Sequence, residues 1–339
     1  MEEKLTLIYN NPDPGSGGIP RYAHRIKEGL KEQEIDFSDV DFTHISGDSV
    51  FGKVKNLVWT RPRFIRQQKK DMTGVNLFVQ PELYFRTPGT DIVTVHDLFM
   101  KYYTDVDGLY ENFRQKIYVR RFERAINNVD HFIAVSTQTK QQLIKEGVEE
   151  EKISVINLGV REKFSIQENW EDRENEIGYL GDFRPRKNVG RLLEDFTENS
   201  DELEEFELVL GGGGGSEEGK LKEKYSGKEK IKFQGRIPED GLTEWYNFLK
   251  AFFFPSELEG FGLPVLEAVS CGTPVFIYED ADIPEEVKEY CITVESVSDV
   301  PGKLEELSNG EIQEKVDEIS EEFDWDKTVS ETVSLIENI

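Results

Sequence analysis

Two glutamates, Glu259 and Glu267, stand eight positions apart in the stretch ELEGFGLPVLEAVSCG. Between them lies Gly-Phe-Gly-Leu-Pro. Pro264 suits the first position of a helix and Gly272 its far end. Residues 259–263 are then a loop entering a helix N-terminus, where glycines 260 and 262 let backbone amides approach a ligand. Free N–H groups and the helix dipole favour an anion there. Glu267 is expected in the first helical turn, within reach of a sugar hydroxyl, and Glu259 is expected to project into a cleft. The plainer reading is a capping acid beside an ordinary turn.

A second group is cationic. In GYLGDFRPRKNVGRLL a strand is expected to end at Gly181, followed by Arg184, Arg186 and Lys187 just before a helix. Lys and Arg beside a helix N-terminus can clamp a diphosphate without a metal; a solvated basic turn is the alternative. His96 and Asp97 end the apolar run TVHDLF, where an imidazole can bond a sugar hydroxyl or handle a proton. Gly17 and Gly18, in PGSGGIPRYAHRI, permit close backbone approach on the first strand-to-helix loop. Pro20 replaces the third glycine of a dinucleotide fingerprint.

Other patterns carry less. GGSEEGKL lacks the Ser/Thr of a P-loop after its lysine, so its glycines are expected to form a tight turn. DVD at 39–41 and 105–107, DAD at 280–282 and DWD at 324–326 lack further ligands, and no metal site is expected. No G-x-S-x-G serine elbow is present. Residues 53–70 hold seven basic residues and no acid, interleaved with Trp59, Phe64 and Ile65; this suggests peripheral contact with an anionic membrane or a phosphorylated acceptor, or simply a solvated basic helix.

The elements that must position these groups alternate. In the first half, strands are expected at LTLIY, NLVWT, NLFVQ, DIVTVH and HFIAVS. Helices are expected at Pro20–Leu30, Tyr110–Asn127 and Thr137–Gly147. The polar run 161–176 reads as a linker. The rhythm then restarts with EIGYLG, FELVLG, IKFQG, AFFFPS and PVFIY separated by helices. Strand–helix alternation implies parallel sheets with helices on both faces, and two such domains make a crevice at the carboxyl ends of their strands.

Composition bounds the rest. A chain of 339 residues is comfortable for two domains. The net charge of −27 excludes nucleic acid as the expected partner. Residues 1–170 carry 24 Lys/Arg and 25 Asp/Glu, whereas 171–339 carry 17 and 43, which points to two domains in different surroundings or to a soluble, salt-tolerant acidic surface. Cys271 and Cys291 give neither a disulfide framework nor metal spacing, MEEKLTLIYN does not read as a signal peptide, and no apolar run is long enough for a membrane span. A cytoplasmic protein, peripheral at most to the inner face of the membrane, is expected.

Taken in order, SGGIPRYA, TVHDLF, HFIAVSTQTK, ISVINLGV, GDFRPRKNV, LVLGGGG, the E-x7-E segment and EDADIPEEV resemble a retaining glycosyltransferase of family 4. That resemblance implies the α/β GT-B architecture. Its parts would be a Rossmann-like acceptor-side domain at 1–165, a sugar-nucleotide domain at 166–322, and a C-terminal helix at 323–339 packing back on the first domain. It implies that His96 and Glu259 act at the transferred sugar and that Glu267 holds the ribose. Lys187, with Arg186, would neutralise the diphosphate, and Phe261, Gly262 and Leu263 would offer backbone groups to the donor. Gly17 and Gly18 would line the donor–acceptor junction. Many members carry Arg where this chain has Asp182, so Arg184 or Arg186 takes that charge or Lys187 carries more of it. The implied reaction moves a hexose, mannose or glucose, from a donor such as GDP-mannose or UDP-glucose to a glycan or lipid-linked acceptor, without a cofactor. A sugar-nucleotide epimerase on the same architecture and a non-catalytic sugar-nucleotide-binding protein are the alternatives.

Overall fold

The computed structural model describes residues 5–10, 17–42, 61–102 and 109–339. Two compact units are present. The first comprises Met1–Leu158 together with Trp325–Ile339; the second is Gly159–Asp324.

The first unit is built on a six-stranded parallel sheet in the order β2-β1-β3-β4-β5-β6. Its strands are β1 (Leu5–Tyr9), β2 (Phe37–Asp41), β3 (Val75–Phe78), β4 (Thr90–Val95), β5 (His131–Ala134) and β6 (Ile153–Val155). Strands β1 and β3 are buried along their whole length. Continuous apolar runs of this kind are what a sheet covered on both faces requires. Its helices are α1 (Gly18–Glu32), α2 (Arg61–Gln68), α3 (Phe99–Tyr102), α4 (Leu109–Asn128), α5 (Thr137–Lys145) and, at the far end of the chain, α13 (Trp325–Asn338). Helix α1 buries Tyr22, Ala23, Ile26, Gly29 and Leu30, one helical stripe. Helix α13 packs on that stripe: a Cβ on Gly29 would lie 2.4 Å from a Val329 methyl.

The second unit repeats the plan, with sheet order β12-β11-β10-β7-β8-β9. Here β7 is Glu174–Gly181, β8 Glu207–Gly212, β9 Ile231–Gly235, β10 Leu249–Phe253, β11 Val275–Tyr278 and β12 Cys291–Val294. The helices are α6 (Val189–Glu198), α7 (Glu218–Tyr225), α8 (Leu242–Phe248), α9 (Leu263–Ser270), α10 (Glu285–Lys288), α11 (Val300–Glu305) and α12 (Asn309–Glu322). Ile177, Tyr179, Leu208, Phe253 and Tyr278 of the strands meet Val189, Leu192, Leu193 and Phe196 of α6 in one core.

The order reverses direction between β7 and β10. The loops after those two strands therefore diverge to opposite faces of the sheet and leave a crevice at its carboxyl edge, where open α/β sheets bind ligands. In the first unit the corresponding reversal lies between β1 and β3.

One expectation falls outside the described residues and one needs correction. The strand at NLVWT lies outside the described residues. The polar stretch 161–176 is not a free linker: Trp170 is buried in the core, its indole Nε1 donating to the Lys250 carbonyl at 2.9 Å, and β7 already begins at Glu174. Arg173 is buried too, donating to Thr273 Oγ1 at 2.8 Å and to the Cys271 carbonyl at 2.6 Å. These polar residues are inside because each finds partners there.

Candidate functional site

The loop leaving β7 is shaped by glycines across from it. Gly212, Gly213, Gly214 and Gly215 all hold positive φ. A Cβ on Gly212 would lie 2.1 Å from the Gly181 carbonyl oxygen, so only glycine allows the two loops to touch. The Phe183 amide donates to the Gly214 carbonyl at 2.7 Å and the Glu217 amide to the Phe183 carbonyl at 3.0 Å. The near P-loop sequence is thus a tight turn that braces residues 181–183. From that brace a short 3-10 turn, Pro185–Lys187, presents the cations, and Asn188 at φ 53° turns the chain into α6. Asn tolerates that left-handed conformation better than most residues.

The loop leaving β10 supplies the anion. Pro255 has no N–H to extend the ladder, and the strand stops at Phe253 rather than Ser256. The backbone then pairs with the segment after β11: the Asp282 amide donates to the Glu257 carbonyl at 2.8 Å and the Glu259 amide to the Asp282 carbonyl at 3.4 Å. The Glu257 amide donates to the Arg186 carbonyl at 2.9 Å, which ties the two loops together.

Across that tie, Arg186 Nη1 lies 3.2 Å from Glu259 Oε2, and Lys187 Nζ bonds Glu259 Oε1. Lys187 Nζ also sits 5.4 Å from the centre of the Phe254 ring. All three charged side chains are at most 15% exposed. Burial pushes the Glu259 pKa up, but the adjacent Lys187 ammonium and Arg186 guanidinium outweigh it and hold the carboxyl below its ordinary value. Two cations and one ionised carboxylate leave a net charge of +1 at a partly buried point, in a chain whose total is −27. Arg184 is elsewhere: its side chain is 61% exposed and its Nε pairs with Asp182 Oδ2 at 3.4 Å. Of the two arginines, Arg186 is the one beside Glu259.

Helix α9 follows. Gly262, at φ 113°, is its N-terminal cap, and Pro264 occupies the first turn. Its opening amides have no intrahelical acceptors and point out of the N-terminus. Phe261 is buried with its ring edge-on to Phe323, 5.9 Å between centres, which fixes the backbone of Phe261, Gly262 and Leu263. Glu267 sits one residue past the first turn, because the helix begins at Leu263. Its buried carboxylate accepts from the Tyr246 hydroxyl at 3.2 Å and lies 3.8 Å from Arg161 Nη2. Neither Arg161 nor Tyr246 stands out in the sequence. The hint available for Arg161 was its place directly after the apolar run ISVINLGV.

Gly17, Gly18 and His96 belong to the first unit. Gly17 caps α1 at φ 128°, and among the described residues a Cβ on either glycine would meet nothing within 4 Å. His96 follows β4 and is 9% exposed. Its Nε2 lies 3.0 Å from the Val79 carbonyl oxygen, and its ring stands edge-on to Tyr22 at 4.8 Å. A carbonyl accepts only, so Nε2 carries the proton and Nδ1 is the acceptor. Burial lowers the imidazole pKa to about 4 despite the Val79 bond.

Of the acid pairs, DVD at 105–107 lies outside the described residues, and the first acids of two others have partners of their own. Asp39 accepts from the Tyr9 hydroxyl at 2.7 Å and pairs with Lys27, and Asp280 holds Arg191. Among the described residues no group of three His, Cys, Asp or Glu could hold a metal ion, and no helix is long and apolar enough to cross a membrane. Of the basic stretch 53–70, residues 61–70 form α2 and a 3-10 turn; 53–60 lie outside the described residues.

Comparison with known proteins bears on this arrangement. The family model described as "Glycosyl transferases group 1" matches residues 160–322, and "Glycosyltransferase Family 4" matches 83–164. The chain is a GT-B glycosyltransferase of family 4. This glycosyltransferase is 30% identical over 197 residues to the O-antigen chain mannosyltransferase RfbU of Salmonella typhimurium, covering 57% of this chain and 52% of that protein. It is 28% identical over 172 residues to O-antigen chain mannosyltransferase B of Escherichia coli, covering 46% and 44%. The aligned stretches thus span about half the length of these curated relatives. Among solved structures, Anabaena HepE in complex with UDP and glucose superposes with a TM-score of 0.71 at 13% identity, over 100% of both chains. At that identity the likeness speaks to the two-sheet fold.

Proposed function

We propose that this chain is a retaining hexosyltransferase. It moves mannose or glucose from a nucleoside-diphosphate sugar to a hydroxyl on a glycan or lipid-linked saccharide. The observation that carries this reading is the Arg186–Lys187–Glu259 cluster, net positive, set on the two loops that flank the switch point of the second sheet. The names of the O-antigen mannosyltransferases and the UDP held by HepE support the substrate class.

The chemistry follows from the charges. Breaking the bond between the anomeric carbon and the phosphate oxygen leaves negative charge on the diphosphate. Fixed cations at that point lower the barrier because they are already oriented when the charge develops. Lys187 and Arg186 supply them, with the amides of Gly262 and Leu263 at the α9 N-terminus as further donors. An arriving diphosphate competes with Glu259 for its two cations. The released carboxylate then orients sugar hydroxyls and favours positive charge on the ring. The acceptor oxygen bonds the anomeric carbon on the face the diphosphate leaves, and the acceptor proton passes to the departing phosphate oxygen. Glu267 accepts from the ribose hydroxyls. His96, neutral, offers Nδ1 as an acceptor for a sugar hydroxyl. Gly17 and Gly18 leave room for the reacting sugar. No step needs a metal or cofactor. The enzyme works in the cytoplasm, and the basic segment 53–70 rests on an anionic membrane that carries the acceptor.

A donor screen in EDTA tests the reading. Purified protein is incubated with GDP-mannose, UDP-glucose, UDP-galactose, UDP-N-acetylglucosamine and GDP-fucose, and released nucleoside diphosphate is measured. One donor should be turned over, slowly without an acceptor. Lys187→Ala should cut that rate roughly 10- to 100-fold, as loss of a charge-assisted contact does, and Glu259→Gln should cut it further. Binding of no donor at all would sink the proposal.

A further inference from the structure

Glu267 does not stand alone in its pocket. Tyr246, fully buried, holds its ring in an aromatic enclosure of Phe164, Trp245 and Phe252, with centres 5.3–5.9 Å away. Its hydroxyl donates to Glu267 Oε2 at 3.2 Å. Arg161 reaches the other oxygen, with Nη2 3.8 Å from Oε1. Arg161 is itself held on three sides. The Val160 amide before it donates to the Phe323 carbonyl at 2.7 Å, Glu239 pairs with its Nη1, and its guanidinium lies over the Phe164 ring at 4.9 Å. Arg161, Lys163, Glu239 and Glu267 together carry zero net charge, so the Glu267 carboxylate is compensated without direct pairing to the cations beside Glu259.

We propose that Arg161 and Tyr246 are positioning residues: they fix the two oxygens of Glu267 so that the carboxylate accepts from both hydroxyls of a ribose, and they thereby set this chain's preference for ribonucleotide over 2′-deoxyribonucleotide donors. The proposal rests on the donor-site reading above. The reason is geometric. A carboxylate on a helix can rotate about its terminal torsion, which is broad and weakly held. A hydroxyl donating to Oε2 and a guanidinium facing Oε1 at ion-pair distance restrict that freedom before the ligand arrives, and a preorganised acceptor gains more from a pair of neighbouring hydroxyls than a rotating one. Deleting a ribose hydroxyl leaves part of a buried anion without its partner, and that asymmetry is the source of discrimination.

Binding of GDP, UDP and their 2′-deoxy counterparts, measured by titration calorimetry with the full chain, tests this. The wild type should bind its preferred ribonucleotide about tenfold or more tighter than the 2′-deoxy form, the worth of one hydrogen bond to a charged group. Tyr246→Phe, which keeps the ring and its packing, and Arg161→Gln should each weaken the ribonucleotide alone and bring the ratio toward one. Arg161→Lys should restore part of it. Thermal unfolding of each variant confirms the fold. Equal weakening of both nucleotides, or no change in either, overturns the positioning role while leaving the donor site intact. A wild-type ratio of one, with tight binding of both forms, overturns the ribose assignment of Glu267 and the proposal with it. Absence of binding by the wild type defeats the donor-site reading on which both stand.

Discussion

Protonation of His96 should separate the folded and unfolded states of the first unit at mildly acidic pH. The imidazole is 9% exposed, its Nε2 proton is committed to the Val79 carbonyl, and the edge of Tyr22 closes another side. Desolvation lowers its folded pKa to about 4. In the unfolded chain the value is about 6.5. The unfolded state therefore takes up the proton first as pH falls. Stability from this group is intact above pH 6.5 and is lost on acidification through the window between the two values. With those values the loss is about 0.2 kcal/mol at pH 7, about 2 kcal/mol at pH 5, and about 3 kcal/mol near pH 4. Other groups titrate in the same range, so the measurement is a difference between wild type and His96→Asn. Native-state hydrogen exchange of the β3 and β4 amides reports the first unit by itself. The variant loses stability at pH 7 through the missing Val79 bond, but its disadvantage should shrink by about 2 kcal/mol on moving to pH 5. The imidazole carbon resonances, assigned with the same variant, should show His96 neutral down to pH 5. A titration near 6.5, or a pH-independent difference between the two proteins, would refute the desolvation reasoning. It would also remove the ground for treating His96 as a neutral acceptor.

Two further outcomes follow from the second unit. Gly262→Ala places a Cβ at φ 113° and 3.2 Å from Val287 Cγ1, and should cost about 1–3 kcal/mol in urea unfolding while lowering diphosphate affinity, since the α9 amides shift with it; an unchanged unfolding midpoint would contradict the left-handed cap. Arg173→Met should cost about 3–5 kcal/mol, because the buried guanidinium donates to Thr273, Asn247 and the carbonyls of Cys271 and Glu168, and methionine supplies no donor; a loss under 1 kcal/mol would mean that water replaces it.

Much of the framework was legible because it is written in apolar periodicity. The strands LTLIY, DIVTVH and PVFIY are buried runs bounded by turn residues, and α1 and α4 follow helical spacing. Strand β2 was not legible. FSDVD buries only Val40, and what seats it is a register with β1 and the Lys27–Asp39 pair, neither of which leaves a local pattern. The polar stretch 161–176 misled for the same reason: Arg161 and Arg173 are inside by virtue of partners more than 70 residues away. The three cations after β7 read as one clamp, yet they separate. Arg184 is drawn to its neighbour Asp182, whereas Arg186 and Lys187 meet a carboxylate from the next strand but two, a pairing set by the sheet order and not by spacing.

The chain path has a consequence for synthesis. Gly159–Asp324 is a continuous segment interrupting the first unit, and its two ends are neighbours, with Val160 bridged to Asp324. On the other side of the interruption Thr328 Oγ1 donates to the Asn157 carbonyl at 2.8 Å. A ribosome therefore delivers every residue of the later unit before it delivers the helix that packs on Gly29 of the earlier one. The earlier unit leaves the tunnel first but completes its fold last, with the Gly29 side of α1 uncovered until Val329 emerges. A stop codon after Asp324 would leave the inserted segment whole and the surrounding one unfinished. Joining Leu158 to Trp325 with a short turn would instead release the outer unit from that wait.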